Sequence, residues 1–286
     1  MTDSALVIQK AAIIGAGTMG HGIAQVAAQS GAAVTLIDIN QEAVDRGRQA
    51  IEKNLNKGIE KGKVTQAQRD ETLSRLTTST ELSGCKGADL VVEAAPERMD
   101  LKRKIFEEVC TYVSADALIG SNTSSLSITE LAATCTHSDR FIGTHFFNPP
   151  HILKLLELIK AEQTSDATLT KAKAMGEQFG RELVVINDSP GFATSRLGLI
   201  LGIEAMRMVQ EGVGTPQDID RAMELGYRHP MGPLKLTDLV GLDVRLAIAE
   251  YLHKELGEQF RPPPLLRKMV RAGKLGKKSG EGFYHW

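Results

Sequence analysis

The chain has 286 residues, enough for one large domain or two ordinary ones with a real core. Its 42% hydrophobic and 24% charged residues fit a soluble globular protein, and a net charge of -1 excludes the basic footprint of a general nucleic-acid binder. The three cysteines, Cys85, Cys110 and Cys135, form no CxxC pair and no metal-ligand spacing, so a reduced compartment and no bound metal are expected.

No run approaches the roughly 20 apolar residues of a membrane helix. The amino terminus carries Asp3 and no long apolar stretch, so no signal peptide is expected. The carboxyl end, Tyr284-His285-Trp286, matches no targeting signal. A cytoplasmic protein is the expectation.

Ala11 to Ile14 reads as a short buried strand, followed by glycines and a helix from about Met19 to Ser30. Ala33 to Ile37 is a second buried strand ending on Asp38, which completes a βαβ unit. Helices are expected over Gln41 to Lys61 and Thr65 to Leu73. Leu90 to Glu93 then reads as a strand, Met99 to Val113 as a helix and Leu118 to Gly120 as a strand. A strand to His145, one around Glu157, a helix from Asp166 to Phe179 and a strand from Leu183 to Ile186 follow. This alternation predicts an α/β domain with a parallel sheet covered on both faces.

After Asn187-Asp-Ser-Pro-Gly191 no convincing strand occurs. Helices are expected over Phe192 to Glu211, Pro216 to Leu225, Leu236 to Val240, Asp243 to Leu256 and Leu265 to Ala272. The predicted division is therefore an α/β domain over 1–187 and an all-α domain over 188–286. In the first helix of the second part, Gly198 and Gly202 share one face, and the rest is apolar almost all round. Such a helix is deeply buried. Either a second subunit covers part of it or it is central in a monomer.

Gly15-Ala-Gly-Thr-Met-Gly20 lies between the first strand and helix. Gly15 allows a tight turn, Gly17 lets backbone approach a pyrophosphate, and Gly20 lets helix pack on strand. Thr18 and Met19 complete the loop, whose helix terminus offers N–H groups to phosphates. Asp38 stands 18 residues beyond Gly20, where a carboxylate can hold both ribose hydroxyls and repel an added phosphate. Arg46 is the first arginine after it, so NAD(H) is expected over NADP(H).

Lys53, Lys57 and Lys61 fall at i, i+4 and i+8 on the long second helix. They form either a plain solvated face, with Glu52 and Glu60 beside them, or a landing site for a phosphate-rich handle such as the nucleotide of coenzyme A. His145 ends an apolar run that Asn148-Pro149 stops, and ligands in open α/β sheets sit beyond such strand ends. Twelve residues on, Glu157 sits inside the apolar run Leu155-Leu-Glu-Leu-Ile159 and needs a partner if buried. A carboxylate that orients an imidazole makes a general base. The alternatives are a structural histidine and a solvated edge glutamate.

Together with Val91-Val-Glu-Ala-Ala-Pro-Glu97, Ser121-Asn-Thr-Ser-Ser125, Pro190-Gly-Phe192, His229 to Pro233 and Lys277-Lys-Ser-Gly-Glu-Gly-Phe-Tyr284, these segments resemble the 3-hydroxyacyl-CoA dehydrogenase family, closest to its short bacterial 3-hydroxybutyryl-CoA dehydrogenases. The resemblance covers nearly the whole chain. It implies a Rossmann domain followed by a helical domain that dimerises, NAD as cofactor and an acyl-CoA substrate. It further implies that His145 is the base, Glu157 its orienting carboxylate, and Ser124 a hydrogen-bonding partner near the substrate oxygen. Asn148, Glu97, Lys102 and Lys278 match cofactor contacts, and Asn54 and Lys61 match coenzyme A contacts. Many members carry asparagine where this chain has Ser195, before Arg196, so Ser195 is expected to fill that substrate contact more weakly or through water. The segment Pro150-His-Ile-Leu-Lys154 also departs from the common pattern. The implied activity is NAD-dependent oxidation of (S)-3-hydroxyacyl-CoA or its reverse. The rivals are oxidation of a free hydroxy or sugar acid, and a non-catalytic NADH-binding protein.

Overall fold

A computed structural model describes residues 7–286 and divides the chain into two compact units, Met1–Asp188 and Ser189–Trp286. Asp3 and the amino-terminal reading that rests on it lie outside the described residues. The first unit runs β1 (Lys10–Ile14), α1 (Gly20–Gln29), β2 (Ala33–Ile37), α2 (Gln41–Glu60), α3 (Gln66–Ser74), β3 (Leu76–Ser79) and β4 (Leu90–Glu93). It continues with α4 (Met99–Tyr112), β5 (Leu118–Ser121), α5 (Ile128–Ala132), β6 (Phe141–Phe146), β7 (Leu155–Lys160), α6 (Asp166–Gln178) and β8 (Glu182–Asn187).

The strands form one sheet in the order β3-β2-β1-β4-β5-β6-β7-β8. Strand order reverses between β1 and β4, and a crevice opens there beyond the strand ends. The central strands read as continuous apolar runs because both sheet faces are covered. Alternate residues serve opposite faces. Ile13, Leu90 and Val92 join one core with Ile23, Ala24 and Met175, whereas Ala12, Ile14 and Val91 join another with Val109 and Cys85.

The sheet is not wholly parallel, as the alternation had suggested. β7 runs antiparallel to β6, and β8 returns parallel to β7. The link from Phe146 to Leu155 carries no crossover helix, and parallel neighbours require one. Two elements escape the sequence pattern. β3 is a short polar edge strand with only Leu76 buried, and α5 is one short stretch capped by Ser127, whose hydroxyl accepts from Glu130 N at 3.2 Å.

The second unit contains α7 (Thr194–Gln210), α8 (Pro216–Gly226), α9 (Pro233–Val240), α10 (Leu242–Leu256) and α11 (Pro264–Arg271). α9 starts earlier than the apolar pattern suggested because Pro233 serves as its first helical residue. α7 is buried on one side only. Leu199, Gly202, Ile203 and Met206 are buried, while Leu197 is 64% and Leu201 42% exposed. A Cβ on Gly202 would lie 3.0 Å from Thr237 Oγ1, so this glycine admits α9. The chain end is tied down by buried Asp238. It accepts from Phe283 N and Tyr284 N at 2.9 Å and from Trp286 Nε1 at 3.0 Å. Any side chain at Gly282 would collide with that carboxylate. This gives a packing reason for the glycine inside the terminal motif. Among the described residues, no helix is long and apolar enough to cross a membrane.

Candidate active site

The turn after β1 is dictated by backbone crowding. Gly15 has φ +95°, and a Cβ there would sit 2.6 Å from Ala94 O. A Cβ on Gly20 would overlap Gly15 O at 1.6 Å. At Gly17 a Cβ would meet no protein atom within 4 Å, so packing does not demand glycine there. A ligand brought close to the loop backbone would be a reason for it.

α1 starts at Met19 without a capping side chain and without an acidic residue in its first turn. Its amino-terminal N–H groups therefore suit phosphate oxygens. The Asp38 carboxylate is aimed at the loop by two backbone donors, Ala16 N at 2.6 Å and Ile39 N at 2.7 Å. A cavity of about 460 Å³ is lined by Ala16, Gly17, Thr18, Asp38, Ile39 and Arg46, among others. Arg46 thus reaches the same cavity as Asp38, although sequence distance had set it aside. It is ion-paired there with Glu42. Small-residue loop, uncapped helix and ribose-ready carboxylate together fit NAD.

Beyond β4 and β5 lies a network the sequence reading reached only in part. Glu93 is fully buried. Its Oε1 accepts from Lys102 Nζ and from Ala95 N, and its Oε2 from Ser121 Oγ, each at 2.6 Å. Burial pushes the Glu93 carboxyl above its usual range, against the opposing pull of Lys102. Lys102 is itself buried and lies 3.4 Å from Glu97. Glu97 Oε1 in turn accepts from Thr123 Oγ1 at 2.6 Å, Ser124 N at 2.9 Å and Ser124 Oγ at 3.3 Å. The structure therefore joins Glu97, Lys102 and Ser124. Glu93, Ser121 and Thr123 were missed, and the available signal was a glutamate closing the apolar run Leu90–Glu93.

The antiparallel pairing of β6 and β7 sets His145 directly opposite Glu157. His145 Nδ1 donates to Glu157 Oε2 at 2.7 Å, with Glu157 fully buried and His145 nearly so. That bond places the basic lone pair on Nε2. The imidazole also lies 4.4 Å, centroid to centroid, from the Phe147 ring. Phe146 N donates to Asn122 Oδ1 at 2.9 Å, which ties the end of β6 to the segment after β5. Asn148 is exposed three residues beyond His145. Pro150 then rests on α1, where a Cβ at Gly22 would lie 2.7 Å from it. The histidine loop and α1 are thus in contact.

A second cavity of about 340 Å³ collects Asn54, Lys57, Lys61, Lys63, Gln25 and His151, with others. Asn54 Nδ2 donates to Gln25 Oε1 at 3.2 Å. Lys63 takes the place expected for Lys53. Lys53 lies two turns, about 12 Å along the helix axis, before Lys61, and Gly62, at φ +64°, folds the chain back so that Lys63 joins the cavity instead. Lys278 and Ser195 belong to the second unit. Lys278 Nζ donates to Asp243 at 2.6 Å, and Ser195 is half-buried in the first turn of α7.

Residues 10–189 match the NAD-binding domain of 3-hydroxyacyl-CoA dehydrogenase, and residues 191–286 match its C-terminal domain. A probable 3-hydroxybutyryl-CoA dehydrogenase of Deinococcus radiodurans is 48% identical over 97% of this chain and 100% of its own length. One from Bacillus subtilis is 44% identical over 98% of each chain. The crystal structure of (S)-3-hydroxybutyryl-CoA dehydrogenase from Ralstonia eutropha superposes with a TM-score of 0.93 at 43% identity, covering 98% of this chain and 99% of that one. With both domain models matched in succession and such relatives along its whole length, the chain belongs to the 3-hydroxyacyl-CoA dehydrogenase family.

Proposed function

We propose that the chain interconverts (S)-3-hydroxyacyl-CoA and 3-oxoacyl-CoA with NAD(H), acting on short acyl chains such as 3-hydroxybutyryl-CoA. The observation that carries this reading is the buried 2.7 Å bond between His145 Nδ1 and Glu157, on a loop that touches the dinucleotide helix. Bound NAD supplies the hydride acceptor. His145 Nε2 takes the proton of the 3-hydroxyl, and Glu157 stabilises the imidazolium that forms. Ser124, whose hydroxyl is oriented by Glu97, hydrogen-bonds the substrate oxygen. Gly15, Gly17, Thr18, Met19 and Gly20 receive the pyrophosphate, and Asp38 receives the adenosine ribose. Glu97, Lys102, Asn148 and Lys278 serve the cofactor. Lys102 acts through Glu93 and Glu97, between which it is buried. Asn54 and Lys61 hold the nucleotide of coenzyme A, with support from the basic cavity around them. Ser195 makes a secondary substrate contact.

In this reading 1–187 is the NAD-binding domain, and 188–286 serves substrate binding and dimerisation. A dimer is supported by exposed Leu197 and Leu201 on α7, Leu236, Leu239 and Val240 on α9, and Val244 on α10, helices that pack on one another. Unpaired thiols fit a reducing cytoplasm.

NADH oxidation should be measured with acetoacetyl-CoA and, in parallel, with free acetoacetate. Efficient turnover of the thioester alone is expected. Equal turnover of the free acid would overturn the substrate assignment, and no turnover of either would overturn the activity.

A further inference from the structure

The second unit carries a cavity that the dehydrogenase reaction leaves unused. Its volume is about 400 Å³, and it is lined by Arg261, Pro262, Pro264, Arg267, Lys268 and Arg271. Four of these six residues are cations, and none is acidic. Arg267, Lys268 and Arg271 lie at i, i+1 and i+4 on α11, with Arg267 half-buried and the other two exposed. Arg261, also exposed, comes from the segment before the helix. Cations in a last helical turn suit the helix dipole. Arg261 lies outside α11, so the dipole does not account for its joining them. None of the exposed apolar side chains that support a dimer lines this cavity.

The frame beneath the cations is stiff. Pro262 and Pro263 are buried, and Pro263, at φ -59° and ψ 146°, holds the chain extended up to α11. Arg207 Nη2 donates to the carbonyls of Gln259 and Arg261, each at 3.3 Å, which ties this segment to α7. Leu265 N donates to Gln210 Oε1 at 3.0 Å, and fully buried Leu266 anchors α11 in the core of the second unit. The guanidiniums are oriented as well. Arg261 Nη1 lies 3.3 Å from Glu258 Oε2, and Arg267 Nη1 is paired with Glu250. Each pair occupies one nitrogen and leaves further N–H donors. Lys268 and Arg271 have no carboxylate partner among the described residues. Two of the four positive charges are therefore not neutralised within the cluster.

We propose that this cavity binds a diphosphate group, carried either by free pyrophosphate or by a nucleoside diphosphate. Planar guanidinium forks match phosphate oxygens, and Arg261 and Arg267 are already oriented by their carboxylates. Lys268 and Arg271 supply the charge that a multiply ionised anion needs. A singly charged carboxylate or chloride would leave one of these two cations unmatched. The concave shape and the volume suit one compact ligand, on the scale of ordinary small-molecule sites, and not the broad surface of a membrane or a duplex. With a net charge of -1 on the whole chain, the positive field belongs to this corner alone and not to the protein at large.

The test titrates pyrophosphate into the full-length protein at low salt by calorimetry. The protein is first saturated with NAD+ and acetoacetyl-CoA, two oxidised partners that do not react with each other, so that the dinucleotide and coenzyme A cavities are filled. One pyrophosphate per chain is expected, with a Kd below about 1 mM. Lys268→Ala combined with Arg271→Ala should weaken that binding at least about tenfold, the worth of one charge-assisted hydrogen bond. Dehydrogenase turnover of this variant should be unchanged, which reports an intact fold. Lys61→Ala, in the coenzyme A cavity, should leave pyrophosphate binding as it is. ADP binding tighter than pyrophosphate identifies a nucleotide as the carrier, and ADP binding equally or less tightly identifies free pyrophosphate. Absence of saturable binding, equal affinity for sulfate and pyrophosphate, or full affinity in the Lys268→Ala, Arg271→Ala protein would overturn the proposal.

Discussion

His145→Gln isolates the base from the scaffold around it. Glu157 is fully buried and bound to His145 at 2.7 Å, so deleting the imidazole outright removes that hydrogen bond from the buried carboxylate. Removing a hydrogen bond to a buried charge costs about 1.5–3 kcal/mol, and His145→Ala should lose stability on that scale. A glutamine amide can still donate to Glu157 and should limit the loss to below about 1 kcal/mol. Turnover should behave differently. A general base contributes roughly 10²–10⁴-fold, which is about 2.7–5.4 kcal/mol at ~1.36 kcal/mol per decade. Both variants should therefore fall at least about a hundredfold in turnover, although only His145→Ala is appreciably destabilised. The measurements are acetoacetyl-CoA reduction, urea unfolding and NADH titration by fluorescence. NADH affinity should change little, since the lost group serves the reacting end. Glu157→Gln should lower turnover by at least about tenfold through loss of imidazolium stabilisation. Near-normal turnover in a folded His145→Gln protein would refute the assignment of the base.

Wild type should prefer NADH, and Asp38→Gly combined with Glu42→Gln, which releases Arg46 inside the same cavity, should raise the NADPH-to-NADH ratio of kcat/KM by at least about tenfold. An unchanged ratio, or a wild-type enzyme faster with NADPH at low concentration, contradicts the role given to Asp38. Lys61→Ala should raise KM for acyl-CoA at low salt and spare acyl-pantetheine, which lacks the nucleotide, whereas equal losses on both would place Lys61 elsewhere in the function. Ser195→Ala should cost about three- to tenfold in kcat/KM, the worth of one neutral hydrogen bond, with Ser195→Asn tolerated; an unaffected Ser195→Ala enzyme removes the residue from the site. Lys102→Met leaves Glu93 buried without its cation and should destabilise by about 3–5 kcal/mol at neutral pH. Because burial raises the Glu93 carboxyl, the loss should shrink as pH falls and the group protonates, and a pH-independent loss measured by urea unfolding would count against the ion pair as its cause.

What the sequence disclosed followed from whether a local rule applied. Strands β1, β4, β5 and β6 were legible because both of their faces are buried, which leaves unbroken apolar runs. β3 was not, since an edge strand of Leu76-Thr-Thr-Ser79 has too little apolar content to announce itself. The direction of β7 was recoverable in principle from the length of the link after Phe146, too short for a crossover. At the site, a glutamate inside an apolar run found its histidine because both lie on adjacent strands. The same kind of signal at Glu93 was passed over because its partner comes from a helix, and no spacing rule relates a strand end to the fourth residue of α4. Lys63 was out of reach for another reason. It joins the basic cavity only through the reversal at Gly62, a backbone event that a helical wheel does not contain.

The charges of the first unit share one logic. Glu157 is buried and holds His145, and Glu93 is buried and holds Lys102, which in turn faces Glu97 and so the Ser124 hydroxyl. In each case a carboxylate that solvent cannot reach fixes a cation or potential cation. That group in turn meets, directly or through Glu97, a side chain at the end of the sheet where substrate and dinucleotide are proposed to lie. Buried pairs of this kind are poor sources of stability compared with apolar packing, because desolvation offsets most of their attraction. Their value lies in position. A solvent-exposed glutamate could sample many rotamers, whereas the Glu93 carboxylate, held by three donors from Lys102, Ala95 and Ser121, has one. The two pairs differ in what their loss should affect. Loss of Glu157 acts on a group proposed to exchange a proton and should appear in turnover. Loss of Glu93 acts two contacts away and should appear first in stability and cofactor affinity, with turnover per bound cofactor preserved.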